Sequence, residues 1–316
     1  MKLVRERTAR FPVLVGGLVL LATGCSGGTG PRAAITPPAF ASRPTARSPI
    51  HSSPSSSPGS ATPSPDRPVS HEPARLAAEL TATTQALRES IDAWTHDGDP
   101  SSGPPPEAVV LQALYQQRMY GAIVADARLA GRAVALLPAW LAGQARATIE
   151  AGSRLRSLVG HAGTPTRLKT GPPEPAGRLL GYYQEAQRRF DIDWEVLAAL
   201  NFLESRFGRV RNSSSAGAQG PMQFIPSTWA AYGLGGDIND PHAAILGAAN
   251  YLKAAGAPGY YRHALYSYNH SQGYVDAVLL YAHQMMGDPR VFYEYYNWQV
   301  FELTPSGPRR LTGPGL

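Results

Sequence analysis

Asn201-Phe202-Leu203-Glu204-Ser205-Arg206-Phe207-Gly208 puts a carboxylate where a helix should be apolar. Leu200 and Leu197 lie four and seven residues before Glu204, with Trp194 slightly off that line, so the acid faces a core stripe. An ionised group buried without a partner costs several kcal/mol and usually takes up a proton instead. Gly208 marks the predicted helix end, which puts Glu204 in the last turn, where the negative end of the helix dipole also disfavours ionisation. A proton held near neutral pH suits a general acid. The competing reading is an edge position with an ion pair to Arg206, Arg209 or Arg211.

The 316 residues allow one or two domains, and a hydrophobic content of 43% is ordinary for a globular chain. The formal charge of +6 is unevenly spread. Lys2, Arg5, Arg7 and Arg10 stand against Glu6 alone at the N-terminus, whereas from Gly181 onward bases and acids nearly balance and form no basic stripe. This distribution argues against nucleic-acid binding.

Residues 1–24 read as a lipoprotein signal peptide, with a basic start, an apolar run from Phe11 to Ala22 too short to span a bilayer, and small residues before Cys25. Leu21-Ala22-Thr23-Gly24-Cys25 resembles a bacterial lipobox, although its leucine lies four residues before the cysteine rather than three. The resemblance implies lipidation of Cys25 and a place at the outer face of the cytoplasmic membrane or cell wall; ordinary secretion is the alternative. Cys25 is the single cysteine, so the fold must rest on packing without an internal disulfide.

Residues 25–71 are rich in Pro, Ser, Thr, Ala and Gly and are expected to be a disordered tether. About 45 such residues reach roughly 140 Å when extended at about 3.1 Å each, and average roughly 40 Å as a coil. A helical segment is expected over 72–170. Its periodic runs are Leu76 to Trp94, Pro106 to Val124 and Ala135 to Leu155. No clustered His, Cys or carboxylate marks it as a site, and scaffolding or partner docking is its expected role. His161–Gly177 reads as a loop.

Residues 171–303 read as shorter helices with clear punctuation, and 304–316 as a flexible tail. Asp193, Ser227 and Ser271 are candidate caps, and Asp240-Pro241 reads as a cap followed by a first-turn proline. Helices are expected from there to Ala255, over Tyr260–Tyr268 and Gly273–Met286, and finally to about Phe301. No run reads as a convincing strand, so the fold class is all-α.

Four pieces change the weight on Glu204: Glu204-Ser205, Gly217-Ala218-Gln219-Gly220-Pro221-Met222-Gln223-Phe224, Ala249-Asn250-Tyr251-Leu252 and Tyr266-Ser267-Tyr268-Asn269-His270-Ser271. In this order they resemble the lysozyme-like lytic transglycosylases that cut bacterial peptidoglycan, over about Gly181–Phe301. The resemblance implies a goose-type lysozyme-like helical domain acting on peptidoglycan glycan strands without a cofactor. It implies Glu204 as the catalytic acid and Ser205 as the hydroxyl that orients it or the sugar. It further implies Gln223 as a substrate contact, Met222 and Phe224 as groove lining, and Tyr268-Asn269 as the pair facing the glutamate. Turn capping for Gln223 and Asn269, and core packing for Tyr268, are the plain structural alternatives. His270-Ser271 departs from the small residues of many relatives and leaves the contacts at that end of the groove open.

A retaining or inverting glycosidase needs a second carboxylate. The candidates are Asp237, Asp240 and Asp276, and none is well placed. The family's chemistry needs none. Its glutamic acid protonates the glycosidic oxygen, the substrate N-acetyl group stabilises C1, and the same carboxylate deprotonates the C6 hydroxyl to give a 1,6-anhydro end. Glu204 would need a pKa of roughly 6 or 7, about 3 to 4 kcal/mol of bias. A lysozyme-type hydrolase and a catalytically silent wall-binding lipoprotein are the competing functions. No metal signature is present, and no metal is expected.

Overall fold

A computed structural model describes residues 62–158, 168–304 and 307–316. The expected signal peptide, Cys25, the tether up to residue 61 and residues 161–167 of the expected loop lie outside the described residues.

The described chain is all-α apart from one hairpin. α1 (Pro73–Asp97), α2 (Glu107–Ala125), α3 (Ala127–Val134) and α4 (Ala139–Leu158) precede the connector. After it come α5 (Ala176–Phe190), α6 (Trp194–Ser205), α7 (Pro226–Tyr232), α8 (Pro241–Ala254), α9 (Tyr261–Tyr268), α10 (Gln272–Gly287) and α11 (Arg290–Tyr296). β1 (Phe301–Thr304) and β2 (Gly307–Arg310) pair antiparallel, with Glu302 opposite Arg309.

The helices begin and end where local chemistry provides for their free backbone groups. Glu72 caps α1 through the N–H groups of Ala74 and Arg75, Asp240 caps α8 through Ala243, and Ser271 caps α10 through Tyr274. Asp193 precedes α6 but makes no side-chain cap; its own N–H donates to the Tyr261 hydroxyl. The expected Ser227 cap is not formed, because α7 starts at Pro226 with Ile225 in the cap position. Proline at the first helical position needs no hydrogen-bond partner for its nitrogen and sets the entry angle by itself.

α6 is the buried centre, with every residue from Val196 to Ser205 enclosed. α10 packs along it on one side and along α4 on the other, while α5 bridges α6 and α8. Phe202 anchors this centre through contacts with Phe207, Tyr281, Tyr295 and Trp298 at ring separations of 5.0–5.9 Å. One continuous apolar core joins Leu76, Leu80, Leu87 and Ile91 of α1 to Leu197, Leu200 and Val278 of the later helices. Glu294, fully buried on α11, reinforces the join by accepting hydrogen bonds from Arg88 on α1, Gln116 on α2 and Gln144 on α4.

Three local expectations need correction. The third periodic run starts at Ala139 rather than Ala135, because Ala135–Pro138 form a turn after the separate helix α3. The last helix ends at Tyr296 instead of near Phe301. Residues 301–310, read without strands, form the hairpin. Strand pairing here rests on an ion pair of 2.5 Å between Arg309 and Glu302 and on burial of Phe301, not on alternating hydrophobicity, so period-two patterning gives no signal. Beyond the hairpin, Leu311 N–H donates to Val300 O and Val300 N–H to the Thr312 hydroxyl, folding the final residues back on the domain. At the other end Arg118 holds the carbonyls of Pro65 and Arg67, and the Tyr115 hydroxyl donates to Pro68 O.

Candidate active site

α6 ends in an unusual way. Arg206, Phe207 and Gly208 all have positive φ, at 53°, 59° and 81°, so the chain turns sharply just beyond Glu204. The turn is tied by Ser205, whose hydroxyl donates to Pro221 O at 2.5 Å and accepts from Gly208 N–H at 2.8 Å. Ser205 is fully buried and both contacts are to backbone, so its side chain joins the helix end to the following loop.

Glu204 is 9% exposed and makes no ion pair among the described residues. The arginines that could have neutralised it point elsewhere. Arg206 stacks over Phe202 at 4.1 Å, Arg209 over Tyr296 at 4.9 Å, and Arg211 donates to Pro172 O. The Tyr274 hydroxyl, from the first turn of α10, donates to Glu204 Oε1. Burial pushes the Glu204 carboxyl up to about 7, against the opposing pull of this hydrogen bond. Burial, followed by the Glu204 charge, raises both the Tyr274 and Tyr268 hydroxyls well above the ordinary phenol range, so both stay protonated donors.

The loop after α6 carries Gln223. Reciprocal 2.9 Å hydrogen bonds between Gln219 and Phe224 close a tight turn around Gly220–Gln223. A Cβ on Gly220 would stand 1.9 Å from Ile238 O, which reserves the position for glycine. Gln223 has φ 49°, a strained value for a residue with a side chain, and its amide nitrogen donates to Gly220 O and Asn212 O. The Met222 and Phe224 side chains turn inward. Met222 is fully buried with its sulfur accepting from Asn201, and Phe224 packs edge-on against Trp229 and Tyr268. Tyr268 closes the far side by donating to Met222 O at 2.6 Å. Asn269 follows as the C-cap of α9, with its backbone N–H on Leu265 O.

Glu204, Tyr268 and Tyr274 thus share one electrostatic environment, with the Gln223 turn held against it through Ser205–Pro221 and Tyr268–Met222. Tyr274 escaped sequence reasoning because Tyr274-Val275 begins an apolar run that reads as core. The usable signal was Ser271: a cap there puts residue 274 in the first turn, directly after the Tyr268-Asn269 loop.

The three acids considered as second carboxylates are engaged otherwise. Asp237 accepts from Asn239, Asp240 caps α8, and Asp276 pairs with Arg154 and Arg262 at 2.8 and 2.7 Å. Among the described residues no three His, Cys, Asp or Glu side chains group as metal ligands, and no helix is long and apolar enough to cross a membrane.

Part of the chain is similar to known proteins. Over 125 residues the chain is 31% identical to membrane-bound lytic murein transglycosylase F of Thiobacillus denitrificans, covering 37% of this chain and 26% of that protein. The chain therefore spans about a quarter of the length of the curated relative it matches. No solved structure matches it significantly. Residues 181–285, which include α6, the Gln223 turn and most of α10, match the family model described as Transglycosylase SLT domain.

Proposed function

We propose that the protein is a peptidoglycan lytic transglycosylase that cleaves the β-1,4 bond between N-acetylmuramic acid and N-acetylglucosamine, with Glu204 as both general acid and general base. The supporting observation is the state of Glu204: nearly buried, without an ion pair among the described residues, and with its carboxyl pushed up to about 7. Such a group can give a proton to the glycosidic oxygen and take one back at the same pH. With Asp237, Asp240 and Asp276 occupied elsewhere, the return proton comes from the C6 hydroxyl of the sugar. The substrate's acetamido oxygen stabilises C1 in between, and the product is a 1,6-anhydromuramoyl end.

Gln223 and Asn269 supply amide groups suited to the acetamido substituents, and Tyr268 and Ser205 hold the site's two walls together. The inward turn of Met222 and Phe224 assigns them to supporting the Gln223 loop from behind. Cys25 is the proposed lipid attachment, placing the domain at the outer face of the membrane within reach of the wall. The division into residues 72–170 and 171–303 is proposed as one of sequence origin, since a common core runs through both.

Digestion of purified sacculi by the wild type and by Glu204→Gln, with mass spectrometry of the released muropeptides, tests the reading. Anhydro ends released by the wild type alone are expected. Reducing ends would indicate a hydrolase, and equal release by both proteins would remove the enzymatic role.

A further inference from the structure

One surface patch has no part in this chemistry. Leu136 and Trp140, 57% and 47% exposed, stand at the corner where α3 turns into α4. Leu136 lies four residues after Arg132 and eight after Arg128, so α3 and its turn present an exposed Arg-Arg-Leu edge, and Trp140 continues it into α4. Arg146, six residues after Trp140 and so about 120° round α4, is exposed on the adjoining face.

The charge here is uncompensated. None of Arg128, Arg132 and Arg146 makes an ion pair among the described residues. The nearby acids are committed elsewhere. Asp126 caps α3 through the N–H groups of Arg128 and Leu129, and Glu150 pairs with Arg154. Glu72 feels the charge of Arg132, but its carboxylate oxygens cap α1. Trp140 is backed on one ring face by Arg88, 5.0 Å from the ring centroid, and Arg88 is itself fixed by Glu294 and Gln144. The indole is thus held in place with the rest of its surface open.

We infer that the α3–α4 corner, through Arg128, Arg132, Leu136, Trp140 and Arg146, docks on an anionic lipid surface. An indole and a leucine flanked by cations without acids match the membrane–water interface, where tryptophan sits at headgroup level and guanidinium groups pair with lipid phosphates. A protein groove of similar apolar area would need acids to meet three arginines, and an anionic bilayer supplies that charge at any orientation.

The placement has a geometric consequence for the proposed enzyme. α4 runs from this corner towards the active site: a Cβ on Gly273, beside Tyr274, would stand 3.5 Å from Leu158 and 3.7 Å from Arg154 O at the other end of the helix. Fourteen residues at 1.5 Å each separate Trp140 from Arg154, about 21 Å. A corner seated on lipid therefore carries the Glu204 site on the opposite end of a rigid helix, above the membrane.

The test uses the full chain bound to vesicles of phosphatidylglycerol and phosphatidylcholine that contain brominated lipid, with tryptophan quenching as the readout. Of the five tryptophans, Trp140 is the exposed one; Trp94 and Trp298 are buried, and Trp194 and Trp229 partly so. The wild type should be quenched and Trp140→Phe should not. Arg128→Ser, Arg132→Ser and Arg146→Ser should each weaken the quenched state about fivefold at low salt. Cys25→Ser separates this contact from the lipid attachment, because quenching of Trp140 needs the corner itself on the bilayer. An unquenched wild type, or equal quenching in Trp140→Phe, overturns the inference. Sacculus digestion by the same variants should match the wild type; failure of the wild type itself to cut sacculi would count against the proposed reaction and not against the docking.

Discussion

The Tyr274 hydroxyl donates to Oε1 of Glu204, joining the last turn of one buried helix to the first turn of another across 70 residues of sequence. No other described side chain bonds to Glu204, so this phenol fixes its orientation and, against the larger effect of burial, pulls its pKa down. Tyr274→Phe removes a hydrogen bond that holds the carboxyl down, so the alkaline limit of activity should move to higher pH. A hydrogen bond to a charged group contributes roughly 1.5 to 3 kcal/mol, so the rate near neutrality should fall about ten- to a hundredfold. A pH–rate profile on sacculi checks both. An unshifted profile would show that Tyr274 packs without tuning.

Glu204 also sets a pH dependence of stability. Its folded-state pKa of about 7 lies above the ordinary glutamate value of 4.5, so the group favours the fold fully while protonated. Between these values ionisation increasingly favours the unfolded chain, up to about 3 kcal/mol above pH 7. Glu204→Gln should therefore be more stable than the wild type at pH 8, with the difference vanishing below about pH 4.5. Urea denaturation at the two pH values measures it, and a constant difference would refute the buried, raised carboxyl.

Ser205→Ala tests the seam between α6 and the loop. It leaves Pro221 O and Gly208 N–H without their buried partner, a loss of about 1 to 3 kcal/mol. Thermal unfolding should report that loss. The Gln223 turn should also become more open to proteolysis, since Ser205 is one of its ties to the helix.

Glu294 should be far less tolerant than its distance from the active site suggests. Glu294→Ala leaves the Arg88 guanidinium with Asp288 as its remaining acid and takes one acceptor from each of Gln116 and Gln144 in the interior, a cost of about 1 to 3 kcal/mol. Because the same acid joins α11 to α1, α2 and α4, a chain beginning at residue 171 should not fold cooperatively. Circular dichroism and a thermal melt of that fragment give the answer, and a sharp transition would show that the later helices are self-sufficient.

The helical scaffold was readable because amphipathic spacing in α1, α2 and α10 and caps at Asp240 and Ser271 are local properties of the chain. The anomaly of Glu204 was readable for the same reason: an acid on an apolar stripe shows in the period. What the sequence could not supply was pairing over distance. Tyr274 looks like any aromatic in a core helix until α10 is laid against α6. Met222 and Phe224 sit beside Gln223 in sequence, but the tight turn sends them to the opposite side. The core shared by both halves of the chain also rests on contacts more than a hundred residues apart, such as Gln117 on Gln299 O and Trp298 on Gln116, which no window of periodicity contains.

Arg118 grips the carbonyls of Pro65 and Arg67, and Arg310 from the hairpin lies 3.9 Å from Asp66. A pull on the chain ahead of residue 62 is consequently delivered to α2 and the hairpin, in shear across several hydrogen bonds, before it can reach α6 or the Gln223 turn. Mechanical load between an anchor and a moving wall would be borne by this clasp, and the geometry around Glu204 would stay at rest while the molecule is under tension.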